Sequence, residues 1–335
     1  MKKSLLALAV LGTFAGVASA QSSVTLFGIV DLNGRSIKNG STTQKQQVSN
    51  SLNSNRLGFR GTEDLGGGMF AGFWLEGAMN NDSGEGTATG GGQNWQRRST
   101  VSLGGRFGEI RLGRDYTPSF WNTTVFDPFG TNGVGSFLNT AGTGAITTAT
   151  TYVRANNSFG YFLPGNLGGL YGQVQTSLGE GVDANKQTSV RIGWAGGPIN
   201  IAVSTGKTDL ATEYTHNNIA GSWNAGFANF MAQYDTQEAG AAERVMYLFG
   251  VVVPVGQHEL KFSYVNSKGD GPLNGVDADQ FALGYIYNLS KRTALYGHYA
   301  QIKNKGGAAF VVGAGPGNAT NDKSTGYEVG LRHSF

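Results

Sequence analysis

The sequence predicts an all-β fold, a sixteen-stranded antiparallel transmembrane β-barrel, and three observations lead there. The first is the terminal segment, residues 327–335, where Tyr327, Val329, Leu331 and Phe335 alternate with Glu328, Gly330, Arg332 and Ser334. Successive side chains of a strand point to opposite faces, so this segment suits a wall with lipid on one side and water on the other. The second is that the same alternation recurs along the chain. The third is that, beyond the first twenty residues, no apolar run approaches the ~18 residues of a membrane helix. Only helices and closed barrels satisfy every backbone group in lipid. A membrane location for this chain therefore requires a closed barrel.

The N-terminus supplies an export address. Lys2 and Lys3 precede an apolar stretch from Leu5 to Val17 that closes on Ala18-Ser19-Ala20. These are the charged, apolar and small-residue regions of a secretory signal. We expect residues 1–20 to be a signal peptide cleaved after Ala20 and residues 21–335 to form one barrel domain beginning at Gln21. Its texture is uniform, with no Pro-rich or Ser-rich linker. Glycine is abundant, 54 residues against an ordinary ~7% usage, but lacks the three-residue period of collagen. With no cysteine, a disulfide scaffold, thiol catalysis and Cys-ligated metals are excluded. Without Lys2 and Lys3 the 25 basic residues become 23, against 22 acidic ones, about +1 in all. That balance offers no field for nucleic acid.

Sixteen strands are expected: 23–35, 47–61, 68–80, 95–105, 109–115, 150–162, 169–179, 187–196, 199–207, 211–222, 225–236, 242–253, 258–267, 277–287, 292–305 and 323–335. The number is even, as in bacterial single-chain barrels. Ile199, Ile201 and Val203 oppose Asn200, Ala202 and Ser204; Leu260, Phe262 and Tyr264 oppose Glu259, Lys261 and Ser263. The strand 23–35 is apolar on both faces and suits contact with another subunit. Short turn-rich links, such as Gly196-Gly197-Pro198 and Pro254-Val255-Gly256, separate longer loops at 36–46, 80–94, 116–149, 268–276 and 306–322. That layout matches short periplasmic turns and long external loops. Tyr161, Phe162, Tyr285, Tyr287, Tyr296 and Phe335 are candidates for interfacial girdles.

The 116–149 segment is too long for a hairpin and lacks strand alternation. Long loops in compact proteins are functional or disordered. A barrel of sixteen strands encloses a wide aqueous channel, which an inward-folded loop would constrict. No catalytic site can be assembled: His216, His258, His298 and His333 are scattered without a Ser-His-acid set. Gly90-Gly91-Gly92 lacks the strand-to-helix context of a phosphate loop. No cofactor or metal site is expected, and the chain reads as a non-enzyme.

At this point a family resemblance enters. The blocks from Ser22 to Asp31, from Asn55 to Gly68, from Ala71 to Glu76, from Arg97 to Leu103, from Phe107 to Arg114, Arg154-Ala155-Asn156-Asn157, from Asn288 to Thr293 and the terminal Phe335 resemble the trimeric Gram-negative general porins. They span the mature chain in order and are most similar to the anion-selective branch. The resemblance implies a trimer of sixteen-stranded barrels with the third external loop folded into the pore, and an arginine cluster at the constriction matching Arg56, Arg97 and Arg154. It also implies that the terminal Phe335 is an assembly signal read by the barrel-insertion machinery. The external loops 36–46, 80–94 and 306–322 match poorly.

Strand parity tests the arginines independently. With Leu57 and Phe59 outside, Arg56 and Arg60 face the lumen; with Val153, Ala155 and Phe159 outside, Arg154 projects inward. Placing Val101 and Leu103 outside makes Arg98 the inward member unless a bulge intervenes, so Arg97 and Arg98 both remain candidates. Arg111 and Arg191 also fall on inward faces. Glu76, Asp115 and Asp127 are candidate carboxylates across the constriction, creating a transverse field. The expected function is passive diffusion of small hydrophilic solutes and ions with anion preference, since arginines stay charged and charged rings set pore selectivity. Expected partners are two further copies of the chain in a homotrimer, outer-membrane lipid, small solutes and anions, and the insertion machinery, with no nucleic acid. A plugged adhesin barrel and a solute-specific channel are the alternatives, separable by conductance.

Overall fold

A computed structural model describes residues 23–141, 146, 151–183, 186–313, 315, 317 and 320–335. The expected signal peptide lies outside these residues. Eighteen strand segments follow one another: β1 (Ser23–Asn39), β2 (Thr42–Ser49), β3 (Arg56–Gly66), β4 (Met69–Asn80), β5 (Glu85–Gly86), β6 (Arg98–Gly105), β7 (Gly108–Tyr116), β8 (Arg154–Phe162), β9 (Leu170–Ser177), β10 (Gln187–Gly196), β11 (Ile199–Thr208), β12 (Tyr214–Asn224), β13 (Asn229–Ala239), β14 (Ala242–Val255), β15 (His258–Asp270), β16 (Asp277–Asn288), β17 (Thr293–Lys305) and β18 (Lys323–Ser334). β2 and β3 are two halves of one stave, because β1 pairs with β2 over Leu32–Asn39 and with β3 over Ser23–Ile29. β5 only extends β4 by a two-residue ladder. Eighteen segments less these two leave sixteen staves, all antiparallel, and β1 pairs with β18 from Ile29↔Ser334 to Asn39↔Ser324 to close the barrel.

The polarity of the wall is inverted relative to a soluble sandwich. Along β10, Val190, Ile192 and Trp194 are exposed outward while Ser189 and Arg191 are buried in the lumen. β11 repeats this with Ile199, Ile201 and Val203 outward and Ala202 and Ser204 inward. Apolar-out and polar-in alternation is the membrane-barrel pattern.

Two expectations need correction. The supposed loop at 36–46 is mostly ladder, because β1 runs to Asn39 and turns at 40–41, where Gly40 has φ +54. The chain breaks instead at 50–55, between β2 and β3. Of the girdle candidates, Tyr296 is buried in the lumen with its hydroxyl on Asp31, and the Phe162 ring lies under Arg111 at 4.0 Å, so neither serves an interface. Tyr285 is exposed outward beside His258.

The long connection between β7 and β8, third among those on the long-loop end, turns into the barrel. It carries helix α1 (Pro118–Val125), which strand alternation does not predict. Thr117 caps it by accepting from the Phe120 N–H at 3.4 Å, and Pro118 occupies the first turn, where its missing N–H costs nothing. Phe126, Phe129, Val134 and Phe137 are fully or almost fully buried. Phe126 seats on Ala202 and Ala220, Phe129 and Val134 on Ala278, Ala282 and Ala300, and Phe137 on Met246, Leu248 and Val265. Small inward alanines leave the room these side chains fill.

Candidate functional site

Three buried polar groups on the wall hold the loop. Glu328 on β18 accepts from the Val134 N–H at 3.1 Å and from Ser51, and pairs with Arg35 at 2.8 Å and His298 at 3.0 Å. Gln280 donates to the Gly135 and Ser136 carbonyls at 3.2 and 3.0 Å. Asp235 accepts from Thr123 at 3.3 Å and Asn218 at 3.0 Å and pairs with His216 at 2.7 Å. Asn122 of α1 donates to Asn218 at 2.6 Å and accepts from Arg191 at 2.8 Å. Arg191 is thus inward as expected, but it clamps the helix. His216 and His298 are buried against the carboxylates that hold the loop, His216 on Asp235 and His298 on Glu328.

Opposite these anchors, arginines from β3, from β8 and from the position just before β6 converge. Glu76 on β4 is their hub. Its Oε1 meets Arg97 Nε at 2.6 Å and Arg56 Nη1 at 3.3 Å, while its Oε2 accepts from Trp74 Nε1 at 3.0 Å. Arg97 also donates to the Tyr116 hydroxyl at 3.2 Å. Arg154 donates to the Arg97 carbonyl at 2.7 Å and stacks on the Tyr116 ring at 4.2 Å. No carboxylate lies within ion-pair distance of Arg154 among the described residues. Three guanidinium groups and one carboxylate leave this cluster at +2.

The Arg97 and Arg98 alternatives resolve into both. Arg98 pairs in register with Glu76, yet the Arg97 backbone N–H also reaches the Glu76 carbonyl at 3.0 Å. Two residues therefore oppose one, as in a bulge, and both side chains enter the lumen. Arg98 lies over Trp74 at 4.5 Å and 3.6 Å from Asp115. Arg111 meets Asp115 at 2.7 Å and Glu109 at 3.0 Å. Arg60 stands over Trp74 at 5.0 Å and Phe27 at 5.4 Å. This second group follows the wall toward the short-turn end, its two paired arginines neutralised by Asp115 and Glu109.

A second irregularity re-aims β7 and β8. Gly113 takes φ +123, where an added Cβ would strike the Ser99 carbonyl, and the register slips between Gly113 and Asp115. Ala155 is consequently buried rather than lipid-facing, so the parity used to place Arg154 does not hold there, although Arg154 does line the lumen.

Asp127 is placed differently from the other carboxylates. It is buried and accepts from the backbone N–H groups of Phe129, Thr131 and Phe137 at 2.9, 2.9 and 3.0 Å. Burial pushes its carboxyl up from the ordinary range, against the pull of those three bonds. No arginine pairs with it among the described residues, and its position is that of an organiser of the loop turn.

Between cluster and loop lies a cavity of about 640 Å³, lined by Arg56, Arg97 and Arg154 on one side and by Lys261 and Arg332 on the other. Lys261 and Arg332 were not singled out from sequence. Both stand at polar positions of alternating strands, beside Leu260 and Leu331, and that parity was the available signal. Phe335 closes β18 onto β1: its N–H donates to the Gly28 carbonyl at 3.0 Å, and its ring covers Gly28 where any Cβ would collide.

Comparison with known proteins adds three likenesses to a family match. The family model described as Gram-negative porin matches residues 7–307. Outer membrane porin protein 32 of Delftia acidovorans is 38% identical over 363 residues, covering all of both chains. An outer membrane porin protein of Bordetella pertussis is 28% identical over 409 residues, again covering both. Among solved structures, an anion-selective porin from Comamonas acidovorans superposes with a TM-score of 0.85 at 34% identity, covering 94% of this chain and 100% of that one.

Proposed function

This chain belongs to the Gram-negative porin family, an outer-membrane channel and not an enzyme, and on that premise we propose that it conducts small hydrophilic solutes by passive diffusion with preference for anions. The carrying observation is the +2 cluster of Arg56, Arg97 and Arg154 around Glu76, facing α1 across a wet cavity. An inward loop narrows the path, so every ion passes near the cluster. Guanidinium groups hold their charge throughout the physiological range. A unit pair at ~4 Å is worth only ~1 kcal/mol in bulk water. Several weak attractions therefore bias passage without trapping the solute. Glu76 fixes two guanidinium heads and Tyr116 supports a third, so the charges are preorganised at the wall. The likeness to an anion-selective porin supports the same sign of preference.

Assembly as a homotrimer is the partner reading we adopt, with β1 and its neighbours as the contact face. Val24 and Leu26 are exposed apolar side chains on that stave. The test of function is electrical. The purified protein in a planar bilayer under a tenfold salt gradient should show discrete open channels and a reversal potential of the sign set by the anion. Absence of conductance from correctly folded protein would instead fit a plugged barrel.

A further inference from the structure

Helix α1 has two chemically different faces. Ser119, Asn122 and Thr123 stand three and four residues apart, the spacing that gathers side chains on one side of a helix, and all three are buried against the wall. There the Ser119 N–H donates to the Ser189 hydroxyl at 3.1 Å, Asn122 donates to Asn218 at 2.6 Å and Thr123 to Asp235 at 3.3 Å. The other face is apolar. Trp121 and Val125, four residues apart, turn into the cavity and are 39% and 37% exposed. The loop does not need them for its seating, which falls to Phe126, Phe129 and Phe137. An indole and an isopropyl group turned toward water forgo the stabilisation that burial would bring.

Tyr116 ties this apolar face to the arginines. Its ring lies 5.4 Å from the Trp121 ring and 4.2 Å from the Arg154 guanidinium, and its hydroxyl accepts from Arg97 at 3.2 Å. The open indole and the guanidinium that lacks a carboxylate partner therefore stand one aromatic ring apart, on adjoining walls of one cavity. A solute that satisfies both carries a carboxylate joined directly to a flat apolar body. A planar carboxylate suits the guanidinium fork, and aromatic rings pack offset or edge to face. Chloride gains nothing from Trp121, and a short aliphatic acid leaves it uncovered. Apolar walls with a few placed charges are the usual makeup of a small-molecule site.

We propose that this juxtaposition is a subsite for aromatic monocarboxylates, with Arg154 taking the carboxylate and Trp121 and Val125 covering the ring, so that the channel favours such anions over aliphatic ones of the same charge. The proposal rests on the anion preference argued above and adds to it a specificity-determining residue, Trp121, that carries no charge. Arginines select the sign of the solute; the helix face selects its shape.

The test adds acetate, cyclohexanecarboxylate or benzoate, all ionised at neutral pH, to the purified protein conducting chloride in a planar bilayer. The dissociation constant of each acid is read from its interruptions of the single-channel current. Benzoate should bind wild type about tenfold tighter than acetate, equivalent to ~1.4 kcal/mol, and severalfold tighter than cyclohexanecarboxylate, which matches its size without an aromatic face. Benzamide, a ring without the charge, should leave the current uninterrupted. In Trp121→Ala the benzoate-to-acetate ratio should fall close to one, and Trp121→Phe should keep most of it. Equal binding of benzoate and cyclohexanecarboxylate by wild type, or an unmoved benzoate-to-acetate ratio in Trp121→Ala, would overturn the proposal while the anion preference in the chloride reversal potential still stood. A reversal potential on the cation side would overturn the underlying reading, and the proposal with it. Should Trp121→Ala fail to insert, the wild-type ranking of the three acids decides alone.

Discussion

At the scale of single residues, the lumen separates charges that steer ions from charges that hold structure. Glu76 does both, because it fixes Arg56 and Arg97 while cancelling one of their charges. Glu76→Gln should raise the cluster from +2 to +3 and increase the anion-to-cation permeability ratio about 2- to 5-fold, corresponding to ~1 kcal/mol or less in a wet site. A reversal potential shifted toward cations in that variant would contradict this role. Asp127 organises the loop turn through three backbone N–H groups. Asp127→Ala strips the acceptor from three loop N–H groups, each costing roughly 1–3 kcal/mol when left buried and unmade. The expected readout is a noisier open-channel current with little change in selectivity, and a quiet channel of shifted selectivity would reverse the assignment.

At the scale of elements, the inward loop behaves as a part fastened at both ends of its course. Its helix is tied through Asn122 to Asn218 and Arg191, and its tip through Val134 to Glu328 and through the Gly135 and Ser136 carbonyls to Gln280. Removing the tip anchors together, Glu328→Gln with Gln280→Leu, should expose the loop to added protease while the barrel stays resistant. Equal resistance of loop and barrel would show the apolar seats of Phe129 and Phe137 to be sufficient alone. The strands themselves were legible because lipid outside and water inside impose a strict period of two, visible at Val190 to Trp194 and at Tyr327 to Leu331. What escaped was what breaks the period. The turn at Gly40 sits inside a polar run whose two sides look alike from sequence. The irregularities at Arg97 and Gly113 insert residues without altering composition. Helix α1 is held chiefly by distant partners such as Asn218 and Asp235, so its eight residues carry little local signal. Parity puts Arg56, Arg98 and Arg111 on the inner face, reaches Arg154 through an alternation its own stave does not keep, and puts Lys261 on the inner face as well.

At the scale of the whole molecule, export, closure and conduction form one sequence of dependencies. Cleavage after Ala20, as the sequence leads us to expect, would give a mature chain beginning at Gln21, checked by intact-mass measurement on outer-membrane protein. Closure of β18 on β1 by Phe335 predicts that deleting this residue lowers the yield of inserted, heat-labile trimer; undiminished yield would remove it as an assembly determinant. The central claim is that the arginine cluster sets the sign of ion preference. Its most direct test is the reversal potential of wild type against Arg56→Glu/Arg154→Glu across a range of salt. The double variant changes the cluster from +2 to −2 and should move the potential from anion toward cation preference. Because the Debye length shrinks from ~8 Å at physiological salt to ~3 Å at 1 M, the difference should narrow as salt rises. An identical reversal potential at low salt, in a variant that still folds and conducts, would contradict the account.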